Sequence, residues 1–87
     1  MDLQNYREQI DAIDNELLRL FKERMGIALN IAHYKKEHGL PALDAARESA
    51  KLSEIGIKAG EEMRPYAHIL YTMLFELSRA YQESIIV

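Results

Sequence analysis

Cysteine is absent from the 87 residues, and so is tryptophan. Without cysteine, neither a disulfide nor a thiolate metal site can support the fold. That matters in a chain this short, because a lone core of this size buries only about 60% of its unfolded surface. Proline occurs twice and glycine four times, and neither gathers into a linker or a low-complexity tract. No apolar run approaches the ~18 residues of a bilayer span. No segment alternates apolar and polar residues as a half-buried strand does. A basic surplus is missing too. Eleven Lys and Arg stand against fourteen Asp and Glu, for a net charge of −3, whereas a nucleic-acid partner calls for a basic face. The opening MDLQNYREQID is polar and acidic, unlike a signal peptide. The expectation is a cytoplasmic protein, 1–87 forming one domain, with neither nucleic acid nor membrane as a partner.

What is present is helical. The first helix is expected from about Leu3 to His38, with Leu3, Tyr6, Ile10, Ile13, Leu17, Leu20, Ile27, Ile31 and Tyr34 at steps of mostly three and four. That is a heptad-like seam. Asp2 suits its N-cap and Gly39 the position just past its end. The loop GLPAL follows, punctuated by Gly39 and Pro41. A second helix is expected from Asp44 to Ala59, stopped by Gly60. A third runs from Arg64 to about Ile85, with Pro65 in its first turn. The fold class is all-α.

The first helix is too long for its own chain. At 1.5 Å per residue it spans roughly 54 Å, while a compact chain of this length has a diameter of roughly 30 Å. A second copy supplying the same helix is the simplest cover, since twofold dimers are the commonest assembly. The alternative is a helix broken near Gly26.

Several polar residues lie on faces that should be apolar. On a wheel of about 100° per residue, Arg24 and Lys35 share the face of Leu17, Ala28 and Ile31. Two cations in a low-dielectric interior are costly unless paired. They either snorkel at a rim or form an internal ion pair, or they line a pocket for an anion. In the second helix Glu48 lies on the stripe of Leu52, Ile55 and Ala59, with Arg47 about 100° round. A buried Glu48 needs a donor, from an arginine or a ligand hydroxyl. Asp44 reads first as a helix cap. The third helix is apolar over most of its circumference, at Ile69, Leu70, Met73, Leu74, Leu77 and Tyr81, so it should be mostly buried. Ser78 and Gln82 share one of its faces, either inward or as a surface strip with Arg79 and Glu83 beside it.

The inward polar set is therefore Arg24, Lys35, Glu48, Ser78 and Gln82, with Arg7 and Arg47 at the edges. Cations dominate it. No histidine pair has metal spacing, no glycine-rich phosphate loop exists, and no nucleophile has an activating base. Such a set suits a small di-anion bearing a hydroxyl, and chemistry done by positioning and electrostatics.

In order and spacing these residues resemble the all-helical chorismate mutase family, the intertwined dimeric kind. The resemblance is carried by YREQIDAIDNELLRLFKERM, by IAHYKKEHGLPALDAARE across the loop and by ELSRAYQ near the end, and it covers essentially the whole chain. It implies a homodimer that rearranges chorismate to prephenate, on the route to phenylalanine and tyrosine, by a cofactor-free Claisen rearrangement. By the same resemblance, Arg7 binds a substrate carboxylate in the partner chain's site and Arg24 holds the other carboxylate. Lys35 and Gln82 donate to the ether oxygen as negative charge grows there. Glu48 takes the ring hydroxyl, assisted by the backbone at Asp44, with Arg47 and Ser78 as supporting contacts. The catalytic residues implied are Lys35, Gln82 and Arg24. Two alternatives stay open. One is an isochorismate pyruvate lyase of the same fold. The other is a silent helical dimerisation or ligand-sensing module, in which Arg24 and Lys35 would pair with Glu48.

Overall fold

A computed structural model describes residues 2–86, with the side chain of residue 86 left out of the description. Three helices make up the chain: α1 (Leu3–Glu37), α2 (Ala45–Ala59) and α3 (Arg64–Ile86). Their bounds fall within a residue of those expected. The Asp2 carboxylate caps α1 by accepting from the Asn5 N–H at 2.9 Å. At the other end Gly39 takes φ +65°. Its N–H reaches Lys36 O at 3.4 Å, and the Leu40 N–H reaches Lys35 O at 2.8 Å. This paired closure needs a left-handed residue, which glycine supplies without a Cβ clash. Asp44 caps α2 through the Arg47 N–H at 3.0 Å. Pro65 is the second residue of α3, where a missing N–H leaves no helical bond unmade.

α1 runs through Gly26 without a break. A Cβ there would meet nothing within 4 Å, so packing within this chain does not explain the glycine.

α3 is the element against which both α1 and α2 pack, while α1 and α2 make no close backbone approach to each other. The result is a slab of 54 × 26 × 14 Å. A helix with its side chains is about 10–12 Å across, so the slab is one helix thick. Its radius of gyration is 16.0 Å, against about 12 Å for a compact chain of this length.

A single layer has almost no interior. Among the described residues, the buried apolar side chains are Ala28, Ala32 and Phe75. The expectation that α3 is mostly buried therefore fails within one chain. Ile69, Leu70, Met73 and Leu77 are exposed, and Leu74 and Tyr81 are only half-buried. Each helix has neighbours at its edges and none above or below. The first half of α1 is barer still: Leu3, Tyr6, Ile10, Ile13, Leu17, Leu18 and Leu20 are all exposed. No helix among the described residues is long and apolar enough to cross a membrane.

Candidate active site

The second half of α1, the start of α2 and the second half of α3 converge on a cavity of about 260 Å³. Arg24 and Lys35 enter from α1, Asp44, Arg47, Glu48 and Lys51 from the start of α2, and Phe75, Ser78 and Arg79 from α3. Five cations thus face two carboxylates, and one of the five, Lys51, is paired outside the cavity with Glu54 at 3.2 Å. A groove of about 690 Å³ between α2 and α3 is larger, but among the expected site residues only Glu48 touches it. Chemistry rather than size selects the smaller cavity.

Lys35 is the best anchored of these groups. Its Nζ donates to the Ala42 carbonyl at 2.7 Å and to Gln82 Oε1 at 3.1 Å. An ammonium has three donors, so one remains for a ligand. Gln82 is buried, with 6% of its surface exposed. Because its Oε1 accepts from Lys35, its Nε2 is the end left to donate, and the nearest acceptor is Ser78 Oγ at a long 3.5 Å. The pair is thus oriented within the fold, with Lys35 at the cavity wall and Gln82 holding it from behind.

Arg24 is half-buried and has no acidic partner among the described residues. Its guanidinium lies 5.8 Å from the centroid of the Phe75 ring, a cation–π contact that supports the side chain without neutralising it. Glu48 does have a partner, the guanidinium of Arg79 from α3. That hydrogen bond to Glu48 is the chief reason the Arg79 pKa is raised above the usual arginine value. Asp44 and Arg47 line the rim through exposed side chains, and the Asp44 carboxylate does the capping work expected of it.

Two expected site residues are absent from the cavity wall: Gln82 stands behind it, bonded to Lys35 and Ser78, and Arg7 is not brought near it. Arg7 lies on the exposed first half of α1, 17 residues before Arg24, roughly 26 Å along the axis. Sequence reasoning in turn missed Arg79, set beside a possible surface strip, along with Lys51 and the Ala42 carbonyl. Arg79 was within reach: it lies four residues after Phe75 and three before Gln82, which puts all three on one helical face. A backbone carbonyl leaves no such signal.

Over residues 6–83 the chain matches the family described as chorismate mutase type II. The chain belongs to that family. Individual relatives agree over shorter stretches. The chorismate mutase of Methanocaldococcus jannaschii is 41% identical over 46 residues, 53% of this chain and 46% of the relative. The 4-amino-4-deoxychorismate mutase of Streptomyces venezuelae is 38% identical over 48 residues, 55% of this chain and 47% of the relative. The T-protein of Haemophilus influenzae is 35% identical over 57 residues, 66% of this chain and 15% of the relative. The matched stretches thus span less than half the length of each of these relatives. No solved structure matches the chain significantly. As a chorismate mutase type II chain, it holds a cavity whose walls combine unneutralised cations with one neutralised carboxylate.

Proposed function

We propose that the chain rearranges chorismate to prephenate, as a twofold homodimer in which each cavity is completed by Arg7 of the partner subunit. The observation that carries this reading is the state of Arg24 and Lys35. Both line one cavity, and neither is neutralised by an acid among the described residues. A silent module would have paired them with Glu48, which instead takes Arg79.

In the rearrangement one C–O bond breaks as one C–C bond forms within the same molecule, and no proton moves. The chain's work is therefore to hold the folded substrate and stabilise the charge that gathers on the ether oxygen. Arg24 and the partner subunit's Arg7 each take a carboxylate. The free donor of Lys35 and the Nε2 of Gln82 meet the ether oxygen. Both are already held in place, so little reorganisation accompanies the reaction. Glu48 accepts from the ring hydroxyl, next to the backbone at Asp44, with Arg47 and Ser78 at the periphery. A second copy also gives the exposed seam of α1 the cover it lacks. The reading places the protein in the cytoplasm, whose reducing conditions suit a chain that needs no disulfide.

The test is direct. Purified chain is mixed with chorismate, loss of ultraviolet absorbance is followed, and prephenate is confirmed by acid conversion to phenylpyruvate. Fast conversion is expected. Pyruvate release from isochorismate, without chorismate turnover, would instead identify a lyase. The Streptomyces venezuelae relative is named for a 4-amino-4-deoxy substrate, so that compound goes through the same assay.

A further inference from the structure

The pair between Glu48 and Arg79 joins α2 to α3 across 31 residues of sequence, and no step proposed above uses Arg79. We propose that Arg79 is a specificity-determining residue: by neutralising Glu48 it makes the cavity select a substrate with a neutral hydroxyl over one with an ammonium at the same ring carbon. This inference rests on the chorismate reading of the cavity and deepens it.

The argument is electrostatic. The two side chains are only 27% and 21% exposed, so solvent and salt screen them less than a surface pair. The guanidinium engages Glu48 Oε1, and no hydrogen bond among the described residues engages Oε2. A carboxylate has lone pairs on both oxygens, so Oε2 stays open to a hydroxyl donor. A hydroxyl adds no charge when it docks there. An ammonium adds a full positive charge, close to a guanidinium and inside a wall where Arg24, Lys35 and Arg47 are also cationic, while Lys51 is matched by Glu54 at 3.2 Å. Glu48 alone would attract that ammonium, but Glu48 is already matched. The other carboxylate, Asp44, sits at the rim and accepts from the Arg47 N–H. Like charges facing each other across an interface are a recognised device for rejecting a wrong partner. The cation of Arg79 is also dependable, since its contact with Glu48 raises its pKa further above the usual value.

The experiment compares kcat/KM for chorismate and for 4-amino-4-deoxychorismate in the parent chain, Arg79→Met and Arg79→Lys. The parent is expected to favour chorismate by about tenfold or more. Arg79→Met keeps the packing length and removes the charge, and should shrink that ratio by about tenfold or invert it. Arg79→Lys should retain it, which a purely structural role for the guanidinium would not require. A parent that uses both compounds equally overturns the proposal, as does a folded Arg79→Met chain with the parent's ratio. Should Arg79→Met fail to fold, Glu48→Gln decides, because it leaves Arg79 without its counter-charge. The ratio should then rise further, and a fall overturns the proposal. A folded parent that converts neither compound overturns the chorismate reading itself, a result distinct from an unselective parent.

Discussion

The two halves of α1 follow the same three-and-four spacing and have different surroundings. From Leu3 to Leu20 every residue is exposed, the seam leucines and isoleucines included. From Phe21 to Glu37, Ala28 and Ala32 are buried and Arg24 and Lys35 are half-buried. Apolar content does not separate the halves, since Ile27, Ile31 and Tyr34 in the second half are exposed as well. Reach does. α3 has 23 residues, roughly 34 Å of helix, against 35 residues and roughly 52 Å in α1. A periodic apolar stripe therefore reports that a face is meant to be covered, and says nothing of which chain covers it.

Breaking the first half should have the largest effect. Ile10→Asp combined with Leu17→Asp places two charges on the bare seam. If a second copy covers that seam, sedimentation should show loss of association, with helicity and chorismate turnover falling together. If the seam stays in water, substitutions at such exposed positions should each change stability by only about 0.5 kcal/mol or less, and nothing visible would happen. Lys35→Ala probes the second half. Turnover should fall by about 10² to 10³, the usual consequence of removing one donor to a developing oxyanion, while association and circular dichroism stay near those of the parent. A joint fall in turnover and helicity would make Lys35 a structural residue. Mixing the halves sharpens the contrast further. An Arg7→Ala chain and an Arg24→Ala chain, each inactive alone, should regain roughly a quarter of parent activity after random re-pairing in a twofold dimer. No recovery in verified heterodimers would mean that each chain builds its site alone. The smallest effect is expected outside α1. Asp44→Ala removes the α2 cap and should cost about 1 kcal/mol, seen as a thermal midpoint lower by several degrees.

Most of the fold was legible because helix signals are local. Asp2, Gly39, Asp44 and Gly60 each mark a boundary through their own backbone or side-chain chemistry, and the structure uses each as a cap or stop. Part of the candidate cavity's lining was legible for a related reason: Arg24, Lys35 and Glu48 are polar residues on faces that periodicity marks as inward, and Gln82, on such a face too, stands behind Lys35. What could not be read is pairing between elements. Nothing local says that Glu48 meets Arg79 rather than Arg24, because that choice depends on how α2 and α3 are set side by side. The burial of α3 was misjudged for the same reason. Its apolar circumference is real, but a layer one helix thick offers neighbours only at its edges.

The bond from Lys35 to the Ala42 carbonyl also bears on how this protein can change over generations. The acceptor is main chain, so every residue type at position 42 supplies it. The loop can drift in composition while the ammonium keeps its place, provided that length and path are kept. Insertions and deletions between Gly39 and Asp44 should be far harder to accept than substitutions, and the position of the ammonium is thereby written in the loop's geometry more than in its side chains.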